Sequence, residues 1–88
     1  MNKLEKNINK EILYTVQSHG KSGRYSVCFG VLKEISDRNI VVEKDVKKLR
    51  NRHVFLKREN VVVPFEQKNS SLIDVVTNEG EYVYKKTR

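Results

Sequence analysis

The most distinctive chemical feature of the sequence is a concentration of positive charge between Lys44 and Arg58. This short range carries a net charge of +6, because Asp45 is its only acidic residue, whereas the whole 88-residue chain carries +7. Its basic residues are Lys44, Lys47, Lys48, Arg50, Arg52, Lys57 and Arg58. Such an asymmetry favours an anionic partner. Closely spaced cations can follow the phosphates of a nucleic acid without discriminating its sequence, and arginine can also stack on a base.

Two other interpretations account for the same charges. The segment can be a solvated loop, or a short helix whose basic face lies in water, since Val46, Leu49 and His53 recur at helical spacing. It can also dock on an acidic protein surface, as in an accessory or inhibitor protein of a mobile element, while an exposed strand edge adds to the partner's sheet. The sequence leaves these alternatives open beside nucleic-acid binding.

The sequence offers little for catalysis or for metal binding. Its two histidines, His19 and His53, lie in separate contexts, with no serine elbow and no phosphate-binding loop. His53 could stack on a base or donate to a phosphate, or it could be structural at the start of a strand. The single Cys28 can form no internal disulfide, and no Cys/His cluster has metal-ligand spacing. We therefore expect a non-catalytic protein without a metal or a cofactor.

The apolar runs are too short for a membrane protein. The longest, Val27 to Leu32, is far below the length of a membrane span, and the charged N-terminus lacks the apolar core of a secretory signal. We expect a cytoplasmic protein with no membrane contact.

The elements that position the basic segment are predicted to be strands. A chain of 88 residues fits one domain with a small core. Thirteen valines, four tyrosines and three phenylalanines stand against no alanine, and such side chains suit a pleated, half-buried surface. Before the strands, Leu4, Ile8 and Ile12 at helical spacing predict a short N-terminal helix over residues 1–10.

Five strands are predicted over residues 11–66, and the second is the most informative. Its inward phase of Tyr25, Val27, Phe29 and Val31 slips just after Gly30. A glycine at such a slip predicts a bulge or bend, which lets one strand serve both sides of a small barrel. The other four strands are predicted at residues 11–17, 39–44, 53–57 and 60–65. A C-terminal hairpin over residues 72–86 follows them.

The predicted connections between the strands contain most of the basic residues between Lys44 and Arg58. Residues 44–53 form the loop between strands three and four, and Arg58 and Glu59 form a minimal turn between strands four and five. Strand residues of the opposite phase also carry apolar side chains: Leu13, Val41, Phe55 and Val62. A barrel points one phase inward, so the N-terminal helix, the C-terminal hairpin or another subunit must cover the other phase. We expect some of each, and a homo-oligomer is therefore one of the hypotheses.

Two stretches resemble the motifs of a known family. "GVLKEISDRNIVV", Gly30 to Val42, has a bending glycine followed by a turn with Asp and Asn. "VFLKRENVVVP", Val54 to Pro64, has a basic pair followed by an apolar strand and a proline. Over about residues 11–65 the chain thus resembles the Sm-like fold, which includes the Hfq-type RNA chaperones. A generic SH3-like barrel fits the same order of elements.

The resemblance implies a ring of subunits that pair edge to edge, with RNA along the inner rim. Asp37 and Asn39 in one turn, and Lys57 and Arg58 in another, would contact the RNA. The sequence predicts a mainly β, five-stranded Sm-like or SH3-like barrel that binds RNA or single strands, because no helix is long enough to read a duplex groove. The predicted binding residues are Lys47, Lys48, Arg50, Arg52, His53, Lys57, Arg58, Asp37 and Asn39.

Overall fold

The computed structural model describes residues 3–20 and 23–86, and strands dominate it. The strands are β1 (Glu11–Ser18), β2 (Tyr25–Ile35), β3 (Asn39–Arg50), β4 (His53–Pro64), β5 (Glu66–Gln67), β6 (Ser70–Thr77) and β7 (Tyr82–Lys85). They form one antiparallel sheet in the order β4-β3-β2-β1-β6-β5, and β7 pairs with β6. The mainly β fold predicted from the valine content is confirmed.

The sheet is open, so the prediction of a closed five-stranded barrel is wrong. Only Phe65 separates β4 from β5 in the chain, although these strands lie at opposite ends of the strand order, and the sheet must therefore curve. Among the described residues no ladder joins β4 to β6. Beyond Glu43 the strands β3 and β4 pair only with each other, so the outer half of their hairpin adds no pairing that would close a barrel.

The predicted N-terminal helix is a single 3-10 turn at Glu5–Asn7, and residues 1 and 2 of the prediction lie outside the described residues. So few residues cannot sustain a helix by hydrogen bonding alone. Asn9 has a left-handed backbone (φ 70°), and its amide donates to the Leu32 carbonyl over 2.6 Å. The chain therefore leaves the turn and joins the sheet before a second helical turn can form.

The core lies on one face of the sheet, which we term the inner face. Alternate residues of a strand point to opposite faces, so Ile12 and Tyr14 of β1 are buried while Leu13 between them is not. The buried apolar residues are Leu4, Ile12, Tyr14, Leu32, Ile40, Val42, Val63, Leu72, Val75 and Val83. The opposite, outer face exposes Tyr25 by 60% and Phe29 by 74%. The predicted inward phase at the start of β2 is therefore wrong.

Gly30 marks a close approach of strands instead of a bulge. A Cβ atom at this residue would lie 2.6 Å from the carbonyl oxygen of Glu43 on β3. The register shift lies later, between Leu32 and Glu34. Only glycine allows this approach, because it carries no side chain.

The last two strands form a hairpin, with Gly80 in its turn at φ 89°. The Thr77 amide donates to the Glu81 carbonyl over 2.8 Å and closes this turn. Tyr84 packs on Phe65 with 5.1 Å between ring centroids, whereas Tyr82 is exposed. The C-terminal segment thus covers the edge of the core near β5.

Candidate nucleic-acid interface

The outer half of the β3–β4 hairpin extends beyond the rest of the sheet. β3 pairs with β2 only as far as Glu43, and beyond this residue it pairs with β4 alone, from Lys44 opposite Glu59 to Arg50 opposite His53. We refer to residues 44–59 as the arm. Its seven cross-strand pairs, at about 3.4 Å per residue, make it roughly 20 Å long. It carries seven basic and two acidic residues, a net charge of +5.

The arm corrects two of the predicted connections. Residues 44–50 belong to β3 and are not a loop, and β4 runs unbroken through Arg58 and Glu59, where a turn was predicted. Only Asn51 and Arg52 lie between the strands, and both have positive φ, at 51° and 67°. Two central residues of this kind match the twist of a type I′ hairpin. The basic segment is therefore a two-stranded ribbon without a long connector.

The pairing register divides the arm residues between two faces. Residues directly opposite in an antiparallel ladder share a face, so the arm continues both faces of the sheet. The inner face of the arm carries Lys44, Val46, Lys48, Arg50, His53, Phe55, Lys57 and Glu59. Its outer face carries Asp45, Lys47, Leu49, Val54, Leu56 and Arg58. Most cations of the arm and the Phe55 ring thus share the inner face, whereas the outer face has three apolar and three charged residues.

Two of the predicted site residues are paired with carboxylates of the chain itself. Lys48 Nζ lies 3.1 Å from Glu59 Oε1. Arg58 places Nε 3.5 Å from Glu43 Oε1 and Nη1 3.5 Å from Asp45 Oδ1. These pairs are partly exposed, so each contributes little to stability. Their main effect is to reduce the positive charge that Lys48 and Arg58 present to a ligand.

Four exposed cations of the arm have no such partner, and neither has the half-buried Lys44. Within the part of the chain that the structure describes, no carboxylate lies within 4.0 Å of the charged groups of Lys47, Arg50, Arg52 and Lys57. All four side chains are exposed. Arg50 and Lys57 lie on the inner face, Arg52 lies in the turn, and Lys47 lies alone on the outer face. The unneutralised charge is therefore concentrated on the inner face and at the tip.

Phe55 is a site residue that the sequence interpretation missed. It lies opposite Lys48, and its neighbours on the same face of β4 are His53 and Lys57. The ring is 42% exposed. Aromatic rings beside cations are the platforms on which single-strand binders stack bases. The signal in the sequence was the alternation of His53, Phe55 and Lys57, which places the ring among polar residues.

The structure does not bring Asp37 and Asn39 to the basic residues. Asn39 begins β3, and its backbone and side chain bond within the turn to Ser36. It lies eleven residues from Arg50 along one strand, which is roughly 35 Å. The rim that the Sm-like resemblance implied, with both turns around one RNA, is therefore not formed within this chain.

The base of the arm is anchored to the core through Lys44. Its Nζ lies 5.9 Å from the centroid of the Tyr14 ring. Burial raises the pKa of Tyr14 to about 12, and the charge of Cys28 and a hydrogen bond with it act in the same direction. The phenol is therefore neutral at physiological pH. The cation at the base of the arm faces a neutral ring and not a phenolate.

His19 has a partner that the sequence did not suggest. Its Nε2 lies 2.7 Å from Ser71 Oγ, and Lys86 Nζ donates to the same oxygen over 3.1 Å. A nucleophile must be accessible, but Ser71 is only 1% exposed. The contact therefore joins the end of β1 to β6. In residues 3–20 and 23–86 no group of three His, Cys, Asp or Glu side chains could hold a metal ion.

Comparisons of the chain with protein-family models, with curated proteins and with solved structures gave no match. The Sm-like resemblance thus remains a likeness between short motifs. Within the described ranges, no helix has both the length and the apolar character needed to cross a membrane.

Proposed function

We propose that this chain is a non-catalytic protein that binds RNA or single-stranded nucleic acid through the inner face and the tip of its arm. One observation carries the proposal: exposed cations without acidic partners surround an exposed ring on a continuous ladder. Arg50 and Lys57 lie on the inner face with Phe55, and Arg52 lies at the tip. Phosphates bind such cations, and unpaired bases stack on such a ring.

The backbone of the tip supports a role for its cation. Arg52 has a φ of 67°, a conformation in which glycine is favoured and an arginine is strained. Strained residues concentrate at functional sites, because the strain is kept where the side chain is needed. An arginine in this position puts a flexible cation at the furthest point of the arm.

Unpaired nucleic acid suits this surface better than a duplex does. A base inside a duplex is stacked on its neighbours, so it cannot use the Phe55 ring as a platform. A single strand exposes both its bases and its phosphates. A two-stranded ribbon can also enter a major groove, and a duplex is therefore the comparison ligand in the test.

The test is fluorescence anisotropy with a labelled single strand of about 15 nucleotides at about 50 mM salt. The arm variant is Arg50→Gln/Arg52→Gln/Lys57→Gln. The matched control is Lys6→Gln/Lys10→Gln/Lys68→Gln, which removes the same charge from exposed residues of the body. We expect the arm variant to bind at least ~10-fold more weakly, with a salt slope smaller by about 2, and the control to bind within ~2-fold of wild type.

Two results contradict the proposal. One is that the wild-type protein binds no single strand at this salt concentration. The other is that the arm variant and the body variant lose the same affinity, since the charge would then act without the geometry of the arm. Tighter binding to a duplex of the same length would instead keep the arm as the binding site and make a duplex its preferred ligand.

A protein-interaction module is the second candidate, because the outer face exposes Val27, Phe29 and Leu56. In that case the same cations would dock on an acidic protein surface. Polyglutamate is a suitable probe. This candidate predicts that the wild-type protein binds polyglutamate in a salt-dependent way and binds no oligonucleotide.

A further inference from the structure

The free edge of β4 is long and regular, and only the charges at its centre protect it. β4 lies at one end of the strand order and pairs only with β3, and none of its backbone groups bonds to another element of the described chain. Edge strands are usually protected by shortness, bulges, prolines or charges. Here the strand has twelve residues, its ladder with β3 has no register shift, and Pro64 stands only at its end. Such an edge can accept another strand.

The sequence of β4 is nearly symmetrical about its centre. Two apolar triplets, residues 54–56 and 61–63, stand on either side of the polar stretch "KREN" at residues 57–60. When such a strand pairs antiparallel with a copy of itself, the first triplet of each copy meets the second triplet of the other. Because a single residue must lie at the centre of such a pairing, the match is offset by one position, and two residues of each triplet pair with residues of the other triplet.

We infer that a second copy of this chain pairs antiparallel with the β4 edge about a two-fold axis at Arg58. A two-fold axis normal to the sheet puts the inner faces of both copies on the same side. Directly opposite residues of an antiparallel pair also share a face, so the residue of β4 at the axis lies opposite the same residue of the second copy. With Arg58 at the axis, Lys57 lies opposite Glu59 of the second copy, and this pair occurs twice. With Glu59 at the axis, two carboxylates would meet instead. The charges therefore select the first register.

The close approach of two Arg58 side chains is tolerable in this register. Each guanidinium is already paired with Glu43 and Asp45 of its own chain, so it does not present a full charge to its counterpart. Glu59 pairs with Lys48, a residue on the neighbouring strand, and lies at the edge where Lys57 of the second copy arrives. The inner face thus has two Lys57–Glu59 pairs between the copies, and the outer face has the two Arg58 side chains with their own carboxylates.

The register also covers exposed apolar residues. Val54, which is 67% exposed, lies opposite Val62 of the second copy, which is 58% exposed in the isolated chain. Phe55 lies opposite Val61 of the second copy, while its ring still faces the solvent above the sheet. The arm of each copy therefore runs beside the body of the other. Both basic inner faces lie on the same side of the joined sheet, where Lys57 gains Glu59 of the second copy as a partner and Arg50 and Arg52 remain the exposed cations nearest the tip.

This inference does not rest on nucleic-acid binding, because its first measurement is the mass of the protein alone. Sedimentation equilibrium between about 1 μM and about 1 mM should give twice the monomer mass of 10.3 kDa. Glu59→Lys puts a positive charge opposite Lys57 of the second copy, and this repulsion occurs twice. We therefore expect at least ~10-fold weaker dimerisation. The charge swap Lys57→Glu/Glu59→Lys restores both pairs and should restore the dimer.

Three control variants separate the interface from general effects. Glu5→Lys makes the same change of charge on an exposed residue far from β4 and should leave the dimer intact. Lys48→Gln removes the internal partner of Glu59 and should also leave the dimer intact. Circular dichroism of each variant shows whether it folds. If Glu59→Lys alone does not fold, the charge-swap variant still tests the register.

A disulfide tests the register itself. In a Cys28→Ser background, Arg58→Cys places two thiols at the axis, where oxidation should link the copies. Leu56→Cys places its thiols four residues apart along the paired strands, about 14 Å, which is too far for a disulfide. A monomeric mass over the whole range overturns the inference. So does a dimer that the Glu59→Lys variant retains, or equal cross-linking by both cysteine variants.

Discussion

A Cβ atom on Gly30 would lie 2.5 Å from Cγ1 of Val42, so β3 approaches β2 to a distance that no side chain at this position permits. Real Cβ contacts are essentially never this short. This close approach lies beside the last pair of the two strands, since their ladder ends at Val31 opposite Glu43. The close approach that Gly30 permits therefore lies where the arm leaves the sheet.

Replacing Gly30 by alanine should destabilise the protein. The added methyl group must push away Val42 and the backbone of β3, and overpacking of this kind costs about 1–3 kcal/mol. Urea unfolding measures the change. Gly20→Ala is the matched control, because its nearest atom lies at an ordinary 3.7 Å, and its effect should stay within ~0.5 kcal/mol. Equal urea midpoints for the two variants would contradict the close approach of β3 to Gly30.

The two faces of β2 should respond differently to substitution. Leu32 is fully buried on the inner face, so Leu32→Ala should cost about 2–5 kcal/mol. Phe29 is exposed on the outer face, and Phe29→Thr, which keeps a strand-favouring side chain, should change the stability by less than ~0.5 kcal/mol. Chemical unfolding compares the two. If Phe29→Thr were the more costly change, the outer face would have to be covered in solution.

The sequence predicted the class of the fold better than its connections. Valine content and alternation along β1 indicate strands, because half-buried strands need them. Residues 44–50 show no such alternation, since both faces of the arm meet solvent and either can be polar. The tight turn was hidden as well, because Arg52 occupies a position where hairpins favour glycine. Nothing local in the sequence distinguished this ribbon from a loop.

The candidate site was predictable as a set of charges but not as a surface. Composition alone located the seven basic residues. Which of them share a face depends on the cross-strand register, and which are neutralised depends on where Glu43 and Glu59 fall in it. The sequence interpretation assigned Phe55 to the outward phase of a barrel strand, whereas the register places it on the inner face opposite Lys48, among cations.

Arg52→Gly should change stability and binding in opposite directions. Glycine relieves the strain of the positive φ, which should raise the free energy of unfolding by about 1 kcal/mol. The same change removes an unpaired cation from the tip, so single-strand binding should weaken and its salt slope should fall by about 0.7. Thermal unfolding and anisotropy measure the two effects. A loss of stability would show that the arginine side chain, and not its backbone, governs the turn.

Phe55 and Lys57 should contribute to binding in distinguishable ways. Stacking does not release counterions, so Phe55→Leu should lower the affinity by about 1–3 kcal/mol and leave the salt slope unchanged. Lys57→Gln should instead lower the slope by about 0.7. Anisotropy titrations at several salt concentrations separate the two. A Phe55→Leu variant that binds like wild type would leave charge alone as the basis of the interaction.

Alkaline pH should destabilise the protein through Tyr14. Burial and Cys28 raise the pKa of Tyr14 from 10.0 to about 12, so the folded state favours the neutral phenol. This contribution to stability is complete below pH 10, where the unfolded chain is also protonated, and is lost as the pH rises towards 12. Tyr14→Phe should therefore make the fall in unfolding free energy between pH 10 and 12 shallower.

Burial and then Glu66 raise the pKa of Tyr84 as well, so Tyr84→Phe should act in the same direction. Because Tyr84 is less buried than Tyr14, its variant should change the slope less, and the reverse order would contradict the placement of Tyr14 in the core.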